Sequence, residues 1–282
     1  MPRVVILGYD GLELTLVERL ELRGLMQREY GRVRVPIAGG LEDPSTPIVW
    51  TSFITGQPPE VHGIDMPQLW GRMDTVRSRV RRLGPLYRLM RWLRLGKAVR
   101  RAVGAKPRFP RREDIRCETI FDVVRPSIAI SIPVYNEDLW ERYPVGGIAK
   151  AREDPEYREW YVSRVRELHE EDVEALFSAL ERDDWRLLMA HLYITDILGH
   201  LYWGTEHLAV LYEEMDLLTR RVKERLKPRD VVLIISDHGM GRLGHTKYGF
   251  YSLNIRLGLR EPSITDFFGI VKTLVGLEEE ND

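Results

Sequence analysis

Asp237 and His238 stand side by side, directly after the apolar run at residues 231–236. Asp196 and His200 stand four apart, a spacing that puts both side chains on one face of a helical turn. Asp10 is the first acid after another apolar run, at residues 3–8. Carboxylate oxygen and imidazole nitrogen are the ligands that zinc, manganese or iron select. Each position also has a plainer reading. Asp10 suits a helix N-cap, as does Asp196 with His200 incidental to it, and Asp237 suits a turn beside a solvated His238. Thr46, just before Pro47, offers a hydroxyl at a helix start, and Ser45 offers another. Such a hydroxyl caps the helix, or it attacks a phosphate held against free N–H groups at the positive end of the helix dipole. A neutral Thr attacks poorly at pH 7 and needs a metal to hold it as an alkoxide.

The elements that must position these groups can be read from the apolar pattern. Residues 3–8 (RVVILG) and 231–236 (VVLIIS) are short and mostly apolar with β-branched residues, as in parallel strands buried on both faces. An acid at the carboxyl end of such a strand lies where open α/β sheets bind ligands. Further strands are expected at 32–37, 127–133 and 185–193. Helices are expected at 12–26, from Pro47 to about Thr55, at 157–182, 206–227 and 264–275. His191 reads as a core histidine, and His169 as a surface residue on a charged helix. Gly239 and Gly241 let the chain turn or approach a ligand closely.

The chain has 282 residues, 44% hydrophobic and 30% charged, with a net charge of −1. It is globular and long enough for one large α/β domain spanning 1–282. One cysteine, Cys117, excludes an internal disulfide framework and fits a reducing, cytoplasmic interior. No signal peptide or bilayer-spanning run is expected. Asn and Gln are scarce, a composition that suggests a thermophile. The near-zero net charge hides a basic block. Residues 72–112 hold 15 Lys or Arg and one acid, Asp74. A cationic, largely helical insertion or cap is therefore expected at 66–116. Its arginines, including Arg77 and Arg112, are solvated on a cap helix or contact an anionic surface, a membrane or a nucleic acid.

Four segments together resemble the alkaline phosphatase superfamily, specifically its type I phosphodiesterase/nucleotide pyrophosphatase branch, including small archaeal members. They are Gly8-Tyr9-Asp10-Gly11, the run TPIVWTSFITG at 46–56 with His62-Gly63-Ile64, Asp196 to His200, and Ser236-Asp237-His238-Gly239-Met240. They cover the first quarter and last third of the chain. The resemblance implies a three-layer α/β sandwich with a mostly parallel central sheet and helices on both faces. It implies two divalent metal ions, zinc first, with manganese or iron as alternatives. Asp10, Thr46, Asp237 and His238 would form one site. Asp196, His200 and His245 would form the other, with His245 supplied unusually early in the chain. Thr46 would attack the phosphorus of a phosphate-ester substrate and form a phospho-threonine.

One departure bears on specificity. Nucleotide pyrophosphatases of this group usually carry Asn three residues after the nucleophile, and Val49 stands there. The same metal core also serves phosphomonoesterases, phosphonate hydrolases, sulfatases and cofactor-independent phosphoglycerate mutases. A sulfatase needs a modified Cys or Ser where Thr46 stands, and the mutase needs a large inserted domain. A binding protein that uses the basic helix beside a vestigial metal site is the alternative of another class.

Overall fold

The apolar runs become the centre of a sheet. In the computed structural model, residues 2–38, 41–65, 109–136, 139–242 and 244–277 are described. Strand β1 is Val4–Tyr9, β2 Glu29–Arg34, β3 Ser127–Ile130 and β4 Leu187–Leu192. Strand β5 is Val231–Ser236, β6 Met240–Gly241, β7 Gly244–His245 and β8 Tyr248–Leu253. Six of them form one sheet in the order β2-β8-β5-β1-β4-β3, and β6 with β7 forms a separate ribbon. Strands β5, β1, β4 and β3 run parallel, while β8 joins β5 antiparallel and β2 joins β8 antiparallel.

Every residue of β1, β4 and β5 is buried. Because successive side chains point to opposite faces, both faces of the central sheet are covered. The helices, in chain order, are α1 Leu14–Arg19, α2 Arg23–Met26, α3 Thr46–Thr55, α4 Pro59–His62, α5 Ile120–Val123 and α6 Leu139–Arg142. They continue as α7 Ile148–Glu153, α8 Pro155–Leu180, α9 Ile194–Tyr202, α10 Glu206–Glu224 and α11 Asp266–Leu274. They pack in two groups. One links α7, α8, α9, α10 and α2 in series, and the other gathers α4, α5 and α11 around α3. The expected α/β architecture is therefore present. Among the described residues, no helix is long and apolar enough to cross a membrane.

Several boundaries differ from the sequence reading. The helix expected at 12–26 is two helices, broken where Glu21 adopts a left-handed φ of 51°. The strand expected at 32–37 lies at Glu29–Arg34, because its register is set by antiparallel pairing with β8, itself unforeseen. Thr46, rather than Pro47, takes the first helical position of α3. His169, expected at the surface, is half-buried on α8, and burial pushes its imidazole down to about 4. The basic insertion expected at 66–116 falls mainly on residues 66–108, outside the described residues. At 109–116 the chain makes one 3-10 turn, Arg112–Asp114, and buries Phe109 and Ile115 in the core.

Candidate metal centre

Strands β5, β1 and β4 are neighbours in the sheet, so their carboxyl ends lie side by side. Asp237 follows β5, Asp10 follows β1, and Asp196 lies in the first turn of α9, just after β4. Asp10 and Asp237 are fully buried, and Asp196 almost so. The turn after β1 is pinned to both neighbours. The Asp10 N–H donates to Leu192 O at 3.2 Å, and the Gly11 N–H donates to Asp237 Oδ1 at 3.3 Å. Ser236 Oγ accepts from the Leu12 N–H and donates to His238 O. Thr195 Oγ1 donates to the Asp10 carbonyl. Gly11 adopts φ +70°, and a Cβ there would lie 3.1 Å from the Asp196 backbone. The left-handed backbone favours glycine, and the close approach of Asp196 adds to that preference.

Two imidazoles of the cluster, His238 and His245, are turned by backbone carbonyls. His238 Nδ1 donates to Gly239 O at 3.2 Å, which leaves Nε2 as a bare lone pair. That nitrogen lies 3.4 Å from Asp10 Oδ1 and 3.3 Å from Asp237 Oδ2. His245 Nδ1 donates to Pro44 O at 3.3 Å, and its Nε2 lies 3.4 Å from Asp196 Oδ1. His200 Nε2 lies 3.2 Å from the same oxygen and 3.0 Å from His245 Nε2. The rings of His238 and His245 stack at 3.7 Å, so the two groups share a wall. Two ligand sets of metal-binding dimensions result: Asp196, His200 and His245, and Asp10, Asp196 and His238. Asp196 belongs to both sets, where the sequence reading assigned it to the second alone.

The donor atoms fit a cation. Asp10 Oδ1, Asp237 Oδ2, Asp196 Oδ1 and His238 Nε2 are buried without a hydrogen-bond partner, and the contacts above turn them toward one another. Buried polar atoms are otherwise almost always paired. Three buried carboxylates also repel. Burial, then Asp237 and Asp196, raise the Asp10 carboxyl well above its usual range. Burial and Asp196 push Asp237 up to about 7. Burial opposes the charge on Asp196, yet the imidazoles of His200 and His245 beside it hold it far below the carboxylate range. Burial would depress His245 as well, but Asp196 overrides it and lifts the imidazole to about 9. His238, buried and facing His245, falls to about 3. Divalent charge resolves these conflicts together.

Two supporting residues escaped the sequence reading of the site. Asp10 Oδ2 is bound by His191 Nε2 at 2.9 Å and by Trp50 Nε1–H at 3.2 Å. This second hold aims Oδ1 at the cluster. His191 was expected in the core, and it is there, 1% exposed, with burial pushing it down to about 3. Trp50 packs edge-on to it and covers Gly8, where a Cβ would meet the indole at 2.7 Å.

Thr46 is buried at the start of α3, beneath an N-cap Ser45 whose side chain makes no capping bond. The helix is tied to both ligand sets, through Trp50 to Asp10 and through Pro44 to His245. His62 is structural. It accepts from the Ile64 N–H at Nδ1 and binds Ser52 Oγ at Nε2, both at 3.0 Å.

A family model described as type I phosphodiesterase / nucleotide pyrophosphatase matches residues 4–254. The chain belongs to this family. Its members hydrolyse phosphate esters such as nucleotides, and they are typically dependent on divalent metal. Comparison with curated proteins gives no match. Among solved structures, Ps i-CgsB in complex with k-i-k-neocarrahexaose is similar in fold, with a TM-score of 0.51 at 11% identity, covering 99% of this chain and 73% of that one. Murine ectonucleotide pyrophosphatase/phosphodiesterase 5, an inactive form in complex with AMP, gives 0.44 at 11% identity, over 85% of this chain and 57% of that one. A Leishmania mexicana phosphoglycerate mutase gives 0.34 at 16% identity, over 40% and 27%.

Proposed function

We propose that this chain is a two-cation phosphodiesterase of the nucleotide pyrophosphatase type, with Thr46 as its nucleophile. One observation carries the reading: four unpartnered ligand atoms from Asp10, Asp196, Asp237 and His238 converge at the ends of three adjacent strands. One cation would be held by Asp10, Thr46, Asp237 and His238, with Asp196 within reach of it, and the other by Asp196, His200 and His245. Ligands of two imidazoles and a carboxylate in the second group favour zinc, with manganese or iron as substitutes. The bound cations would supply Lewis-acid stabilisation and a hydroxyl of lowered pKa.

Thr46 Oγ1 would lose its proton to solvent and bond to phosphorus as the bond from phosphorus to the leaving alkoxide breaks, and the alkoxide would take up a proton from solvent. An in-line displacement would put that alkoxide opposite Thr46. Water then cleaves the phospho-threonine and returns a proton to Thr46. Early in α3 the N–H groups of Ile48 and Val49 both donate to Ser45 O, and Pro47 has none. The Thr46 N–H is thus the donor of that first turn with no bond inside the helix. Val49 adds no polar group, so this reading puts phosphate recognition on backbone and cations rather than on an asparagine.

Purified protein supplied with Zn²⁺ or Mn²⁺ should hydrolyse bis-p-nitrophenyl phosphate. Thr46→Ala should lose on the order of a thousandfold or more in kcat while still binding metal. Turnover retained in that variant would remove Thr46 from the mechanism.

A further inference from the structure

His245 comes to its ligand group on the β6–β7 ribbon, which stands outside the main sheet. Two-stranded ribbons are marginal by themselves. The base of this one is closed by Thr246. Its N–H donates to Gly239 O at 2.9 Å, and its hydroxyl accepts from the Gly239 N–H at 3.1 Å. The same hydroxyl lies 3.1 Å from Glu13 Oε2, to which it donates, with Tyr248 O at 3.3 Å as its other acceptor. Glu13 is fixed in turn. Its N–H donates to Tyr212 Oη at 2.8 Å, and its Oε1 accepts from the N–H and hydroxyl of Thr15. The carboxylate fills the space that a side chain at position 239 would take. A Cβ on Gly239 would collide with Glu13 Oε2 and come within 2.5 Å of Thr246 Oγ1.

We propose that Glu13 and Thr246 are positioning residues: they latch the ribbon that holds His245, and so set how tightly the second ligand group keeps its cation. The inference rests on the two-cation reading above. Asp10, Asp237 and His238 sit fully buried at the ends of central strands, and the Gly239 carbonyl that orients His238 is held by the Thr246 backbone N–H, which a side-chain change leaves in place. His200 and His245 are partly exposed, and His245 depends on the ribbon for its place. Opening the latch therefore weakens one site and spares the other.

Zinc counting tests this apart from activity. Wild-type protein, Thr246→Val, Thr246→Ser and Glu13→Ala are loaded with Zn²⁺, dialysed against chelators of graded strength, and assayed for zinc per chain by mass spectrometry. Thermal melting of the zinc-free proteins controls for folding. Wild type and Thr246→Ser should retain two zinc ions. Thr246→Val and Glu13→Ala should retain one, with the second bound at least about tenfold more weakly. Thr246→Val holding both ions as tightly as wild type would overturn the latch, as would loss of both ions together. A wild-type chain that binds fewer than two zinc ions would overturn the two-cation reading, and the latch with it.

Discussion

Asp10 divides its two carboxylate oxygens between opposite tasks. Oδ2 is held by His191 and Trp50, while Oδ1 is left for the cluster. A ligand aimed in this way binds metal better than one free to rotate, because its orientation is fixed before binding. His191→Phe keeps a ring between Trp50 and Tyr193 but removes the hydrogen bond. We expect zinc affinity at the Asp10 site to fall roughly 10- to 100-fold, measured by competition with a chromogenic chelator. Unchanged affinity would mean that Trp50 alone orients Asp10. The opposite shifts of Asp10 and Asp196 show why residue type alone does not define a role. Both are buried aspartates, but Asp10 faces two other carboxylates while Asp196 faces two imidazoles.

Helix α3 begins at Thr46 and owes its seating to buried polar contacts as well as to its apolar residues. Ser52 Oγ donates to Ile48 O one turn back and binds His62 Nε2, which ties α3 to the short helix α4. Burial lowers His62 to about 4, from an ordinary value of 6.5. The folded protein therefore resists protonating this ring, whereas the unfolded chain takes the proton at about 6.5. The stabilisation is fully present above that pH and is lost as pH falls toward 4. Urea unfolding of the metal-free protein should show stability declining over this window, with roughly 2–3 kcal/mol of the loss due to His62. In His62→Gln, whose amide can still donate to Ser52, the decline should be correspondingly shallower. A decline of equal depth in both proteins would assign it to other groups.

Across the whole molecule, the central strands converge three carboxylates that repel one another in the absence of a cation. A cation that binds only the folded state stabilises it by mass action, by about 2.7 kcal/mol at a hundred times Kd. For a chain of this size that corresponds to roughly 5–10 °C in Tm. Chelation should lower the calorimetric melting temperature by an amount of that order, and added Zn²⁺ should restore it. A melting temperature indifferent to chelator would argue against cation binding at the cluster.

The central strands and the ends that bear Asp10, Asp196 and Asp237 were legible in the sequence, because unbroken apolar runs have few folded alternatives. Asp196 and His200 were legible as a pair because helical spacing is local. The boundary of β2 and the existence of β8 were not, since antiparallel pairing between residues about 220 apart sets both. The same holds for the supports of the site. His191 looks like any core histidine until parallel pairing places it opposite Gly8 and beside Asp10. His245 carries no local sign that it shares Asp196 with His200, because a ribbon closed through Glu13 brings it there. The sequence by itself determined which side chains could bind a cation and which strands would carry them. Only the tertiary structure decided that Asp196 is shared between the two groups and how each ligand is oriented, because both depend on strand order and on hydrogen bonds between segments far apart in the chain.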